Sequence, residues 1–172
     1  MFDALFTTTT EYKKLSHALS GKGACALFGL PASGRAQMYA ALCRQLDKPL
    51  CIVTPGEAEA TRFAADLNTL GIPAAVFPAR DYVLRPIEGT AREYEYRRLA
   101  VLGELVGGRL RAVAVPAEAL TQFTTPKEDF CANTRTLHAG DTLLRDDLLA
   151  ALFGAGYTRR AQACLLYTSP SP

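Results

Sequence analysis

A chain of 172 residues, 49% apolar and 21% charged, holds enough apolar surface to bury one ordinary core and to begin a second. Its formal charge of +2 excludes wrapping of nucleic acid or coating of an anionic membrane by bulk electrostatics, so any such binding has to be local. The five cysteines (Cys25, Cys43, Cys51, Cys131 and Cys164) are odd in number, scattered and without a Cys-x-x-Cys pair, which fits reduced thiols rather than a disulfide framework or a zinc site.

His17 and His138 are far apart and neither has a second ligand candidate at helical spacing, so both read as structural or surface residues and no metal site is expected. Residues 1–14 carry Asp3 and a threonine run without an apolar core or a cleavage motif, and no uncharged apolar run approaches the roughly 20 residues of a membrane span. The expectation is a soluble, cytoplasmic chain with no membrane partner.

The helical pattern over residues 11–19 stops at Ser20-Gly21-Lys22-Gly23 and leads into a continuous apolar run at 24–28, which predicts a buried strand. Residues 29–34 predict a turn and 35–46 a helix, with Met38, Ala41, Leu42 and Gln45 at helical intervals. The alternation repeats as strand 50–53, helix 57–70, strand 74–77, an irregular stretch to Gly89, a long helix at 90–106 and strand 112–115. Short apolar strands between amphipathic helices predict an α/β fold with a mainly parallel sheet covered on both faces. From Thr124 the texture changes. A connector carrying Phe130, a strand at 134–138, a turn at 139–141 and a helix at 145–153 predict the start of a second, α+β domain. The expected division is 1–133 for the first domain and 134–163 for an incomplete second. Residues 164–172 end in Ser-Pro-Ser-Pro, with neither helical nor strand period, and form a tail.

The glycine turn matters because of its frame. A working phosphate loop reads G-x-x-x-x-G-K-[ST] between strand and helix: its amides cradle phosphate, its lysine neutralises charge and its hydroxyl binds magnesium. Here the frame is Gly29-Leu30-Pro31-Ala32-Ser33-Gly34-Arg35-Ala36. Spacing matches, while both chemical positions differ. Arg35 is a larger planar fork in place of an ammonium, Ala36 has no metal ligand, and Pro31 removes an amide donor. The residues predict a degenerate P-loop of RecA-like type, without hydrolysis and with no cofactor bound through Gly29, Ser33, Gly34, Arg35 or Ala36. A plain glycine-rich turn is the bland alternative, and a diverged NTPase using Arg35 is the enzymatic one. No acid closes strand 112–115, which runs into Pro116, and no catalytic set is visible elsewhere.

Between residues 80 and 111 the chain concentrates Arg80, Arg85, Arg92, Arg97, Arg98, Arg109 and Arg111 among Tyr82, Tyr94 and Tyr96. That interleaving suits a nucleic-acid or partner surface. Glu88, Glu93, Glu95 and Glu104 answer much of the charge, however, and Glu93 to Arg97 has the i,i+4 spacing of a helical pair, which favours a solvated helix face.

Three motifs carry a family resemblance: Phe77-Pro78-Ala79-Arg80-Asp81-Tyr82, then residues 88–99 (EGTAREYEYRRL), then 115–122 (VPAEALTQ). With Gly140-Asp141 and Gly154-Ala155-Gly156-Tyr157 they resemble the N-terminal region of bacterial transcription-repair coupling factors (Mfd), over roughly residues 15–162. That module is similar to the excision-repair subunit UvrB, whose first domain has an intact phosphate loop and a long damage-sensing hairpin. Arg35, Ala36 and the short connection between Tyr82 and Leu99 separate this chain from UvrB. The resemblance implies transcription-coupled nucleotide excision repair. The parent would be a DNA translocase that displaces stalled RNA polymerase using ATP and magnesium in a motor outside this chain, and recruits UvrA. The UvrA-contacting surface would belong to the second domain, which starts near Arg135 and departs from the family pattern after about Gln162. That departure implies an interrupted domain followed by an unrelated tail.

Overall fold

The first elements follow from short-range signals. Thr9 accepts a hydrogen bond from the amide of Tyr12 (3.3 Å) and caps α1 (Thr10–Ser20), with Glu11 in its first turn. Thr9→Ala is expected to lower stability by about 0.5–1 kcal/mol, read as a reduced urea midpoint. The computed structural model describes residues 7–21, 23–46, 48–80 and 93–157. Beyond α1 these form α2 (Ala32–Gln45), β1 (Leu50–Thr54), α3 (Glu57–Thr69), β2 (Ala74–Val76), α4 (Glu93–Val106), β3 (Ala112–Pro116), α5 (Ala117–Leu120), α6 (Lys127–Asn133) and α7 (Arg145–Gly154).

The sheet is parallel with order β1-β3-β2. Register places Ile52 beside Ala114 and Cys51 beside Val113, so alternate residues define two faces. On one face Ile52, Ala74, Ala112 and Ala114 pack with Ala36, Ala40 and Cys43 of α2 and with Ala60, Phe63, Ala64 and Leu67 of α3. Alanines on both helices and strands let the backbones approach closely, and burial of Phe63 and Leu67 contributes about 1.5–3 kcal/mol each. The other face joins Val113, Val115 and Phe77 to Val101, Leu102 and Leu105 of α4. Stepping from β1 out to β2 and back to β3 reverses direction. Right-handed crossovers then place α3 and α4 on opposite faces, as observed.

Side chains close what the ladder leaves open. Asn68 donates to the carbonyls of Ala64 and Ala74 (both 2.8 Å) and accepts from the amide of Ala74 (3.1 Å), blunting the β2 edge. Arg111 donates to the carbonyls of Cys43 (2.6 Å) and Leu46 (2.7 Å) at the end of α2, and Arg44 donates to that of Leu70 (2.5 Å) at the end of α3. Gly71, at φ +76°, takes the left-handed turn after that helix.

The α/β class is as expected, and three local expectations are corrected. Residues 24–28 form no strand: they are assigned to no ladder and are exposed, with Phe28 88% accessible. An apolar run becomes a strand only where a neighbour takes its backbone groups, and among the described residues none does. Residues 134–138 are likewise exposed and outside any ladder. The connector around Phe130 is helical, its amide donating to the carbonyl of Pro126 (2.9 Å) at the start of α6.

The chain divides into two compact units, Met1–Gln122 and Phe123–Pro172. In the second, the described residues comprise α6, α7 and a turn in which Asp141 accepts from the amide of His138 (2.7 Å). α7 contributes no buried residue. Among the described residues no helix is long and apolar enough to cross a membrane.

Candidate functional site

Gly29 adopts φ +83°, a left-handed conformation in the turn between residues 23–28 and α2. Pro31 is the N-cap residue of α2 without a side-chain cap bond, and Arg35 N donates to its carbonyl (3.0 Å). The helix therefore starts at Ala32, earlier than the expected turn over residues 29–34 allows. Ser33 and Gly34 sit in its first turn, where amides lie free of intrahelical partners. A Cβ on Gly34 would come within 3.3 Å of the Pro31 ring, a tight approach that any larger residue meets only if the ring shifts.

The two positions that carry phosphate-loop chemistry are built into packing. Arg35 lies toward α3: its Nη1 is 3.9 Å from Glu59 Oε1 and its Cζ is 5.6 Å from the centre of the Phe63 ring, which in turn meets Tyr39 at 5.7 Å. Glu59 is shared with Arg62 (3.8 Å). The Arg35 Nε is buried with no hydrogen-bond partner. A half-exposed ion pair contributes little, about 0.2–1 kcal/mol, and the ring contact a similar amount. Ala36 is 2% exposed within the α2–α3–sheet core. The frame thus offers no metal-ligating hydroxyl at 36, and its one cation faces a carboxylate and an aromatic ring. The residues present do not fit a magnesium nucleotide. Among the described residues, no group of histidine, cysteine and carboxylate side chains could hold a metal ion.

The arginine segment separates into unlike parts. Arg85 and Arg92 lie outside the described residues. Arg97 is exposed on α4. Arg98 is corrected from surface to interior, being 6% exposed. Its Nη1 donates to the carbonyl of Pro78 (2.8 Å) and to Gln122 Oε1 (3.1 Å), and its Cζ stands 4.1 Å over the Phe77 ring. Burial lowers its pKa from the ordinary arginine value, and the charge of Arg80 lowers it further. Arg80 bridges to Glu95 (2.5 Å), while its backbone exchanges hydrogen bonds with the Gln122 amide (2.8 and 3.1 Å). Arg109 pairs with Glu104 (2.8 Å), and Arg111 closes α2. Among the described residues the expected Glu93–Arg97 pair is not formed, and Glu95 meets Arg80 instead. Arg80 and Arg98 are therefore joined in a latch between the segment that follows β2, α4 and Gln122 beyond α5. Sequence reasoning missed Phe77, Pro78 and Gln122 as its other members, although Phe77-Pro78 and Gln122 lie inside two of the motifs that carry the resemblance.

The comparisons bear on that resemblance. A stretch of 135 residues, 77% of the chain, is 26% identical to the transcription-repair-coupling factor of Bacillus subtilis (strain 168). The chain is distantly related to that protein. It spans only 12% of that protein's length. No family model matches the chain, and no solved structure matches it.

Proposed function

We propose that the chain is a UvrB-like N-terminal module of a transcription-repair coupling factor, and that it is a docking platform that does not hydrolyse nucleotide. The observation that carries this reading is the use of Arg35 and Ala36 in packing, where hydrolysis would need a free cation and a metal ligand. Distant similarity to the Bacillus subtilis coupling factor supplies the repair context. On this reading ATP and magnesium serve a motor elsewhere in the parent protein, and this module uses neither. RNA polymerase and DNA are engaged by other parts of the parent. UvrA docks on the second domain, of which residues 134–163 are the start, and the parent acts in the cytoplasm.

Two measurements test the proposal. The purified chain with magnesium and ATP is expected to show no phosphate release above background, and a rate that Arg35→Ala abolishes would overturn the non-hydrolysing assignment. UvrA is expected to co-elute with the module once the second domain is complete. Failure of the completed module to retain UvrA removes the docking role.

A further inference from the structure

We infer that α4 is an interface between two copies of the chain, packing antiparallel against α4 of the second copy. A helix that lies on one face of a sheet normally turns charged and polar residues to water. α4 does not. Arg98, Val101, Leu102 and Leu105 form the side that packs with Phe77, Val113 and Val115. On the opposite side Tyr96, Leu99, Ala100, Gly103 and Val106 stand at i, i+3, i+4, i+7 and i+10, a second apolar stripe. Its large members are open to water, Tyr96 by 39%, Leu99 by 44% and Val106 by 43%, and Ala100 is exposed. Helices apolar on two sides are covered on both, so the second stripe calls for a partner.

Charge and size make the stripe its own complement, which identifies that partner. The stripe residues occupy the a, d, e, a and d sites of a heptad, the spacing with which two helices interlock. An antiparallel pair centred at Val101 sets a against d, so Tyr96 meets Val106 and Leu99 meets Gly103 of the second copy. Each layer then places a larger side chain against a smaller one, and Ala100 beside them lets the axes approach to about 8 Å. On one flank of the stripe stand Arg97, which is exposed, and Glu104, one heptad further on. Antiparallel helices bring like flanks together, so Arg97 faces Glu104 of the second copy, and two-fold symmetry repeats the contact. Glu104 accepts from Arg109 Nε through Oε2 (2.8 Å), which leaves Oε1 for this second cation. A parallel pair would instead set Arg97 against Arg97 and Glu104 against Glu104.

Sedimentation equilibrium of the 172-residue chain tests the inference. A monomer–dimer equilibrium with a dissociation constant on the order of 100 μM is expected, because one helix pair buries less than a standard interface. Leu99→Glu is expected to raise that constant by more than about tenfold, since it buries a charge in the stripe. Leu99 already faces water in the single copy, so the circular dichroism of the variant stays that of the parent chain. Arg97→Glu and Glu104→Arg are each expected to weaken the homodimer about fivefold, while their equimolar mixture pairs as tightly as the unaltered chain. A chain that stays monomeric up to about 1 mM overturns the inference and leaves the stripe to a different occupant. A dimer that survives Leu99→Glu, or a mixture of the charge variants no tighter than either alone, overturns it equally.

Discussion

Replacing Arg98 with alanine is expected to lower the stability of the chain by about 2–4 kcal/mol, seen as a fall in urea midpoint with little change in slope. The magnitude follows from what the guanidinium does. Its aliphatic stem fills space beside Phe77, its face meets the ring at 4.1 Å, and its Nη1 satisfies both the Pro78 carbonyl and Gln122 Oε1. Truncation removes the packing and takes the Arg98 donor from the buried Pro78 carbonyl, while Gln122 Oε1 keeps its bond from the Arg80 amide; losing a buried acceptor's donor costs more than the bond contributed. Arg98→Met separates the two parts, because it keeps the stem and loses the donors. It is expected to recover about 1–2 kcal/mol of the alanine loss. If Arg98→Ala leaves the midpoint unchanged, the latch does not hold β2 to α4.

Arg98 also shows why residue class misleads where spacing does not. Read as one of seven arginines, it belongs to a charged surface. Read by position, it stands at i relative to Val101, Leu102 and Leu105, which is the spacing of a buried helical stripe, and all three of those pack in the core of that face. α3 was legible for the same reason: Ala60, Phe63, Ala64 and Leu67 follow that spacing and all four are buried. β3 was legible as a continuous apolar run, and every one of its residues is buried.

Residues 24–28 carry the same signal as β3 and form no strand, because strand formation is decided by a neighbour and not by the segment. The handedness rule that accounts for α3 and α4 on opposite faces would put a strand preceding α2 beyond the outer edge of β1. On β1 the face shared with Val113 and Val115 is open, with Cys51 and Val53 exposed, Val53 by 54%. Among the described residues β1 pairs only with β3, and no ladder joins residues 24–28 to its outer edge. Likewise the expected strand at 134–138 has no ladder partner among the described residues, whereas the turn at 139–141, whose Asp141 bond is local, and the helix at 145–153 were readable from sequence.

The phosphate loop was legible as a frame and illegible as a surface. Matching Gly29, Gly34, Arg35 and Ala36 to a motif counts positions but does not say which face of α2 each one presents. A second stripe, Ala36, Ala40 and Cys43 at i, i+4 and i+7, stood beside the Met38, Ala41 and Leu42 stripe and marks Ala36 as a core position. Restoring a hydroxyl there therefore tests more than chemistry. Ala36→Thr is expected to cost about 2–4 kcal/mol, from forcing added volume among Ile52, Ala60 and Phe63 and from burying a hydroxyl among apolar atoms. The double variant Arg35→Lys with Ala36→Thr, which completes the motif on paper, is expected to lose the ring contact and ion pair of Arg35 as well. It should melt no higher than Ala36→Thr alone and release no phosphate from ATP. A stable double variant with magnesium-dependent turnover would mean that α2 can present residue 36 to a nucleotide, and that hydrolysis was lost through two side chains alone. Instability without turnover would instead place the loss in the packing of α2 against α3, where a return to catalysis requires rebuilding the core.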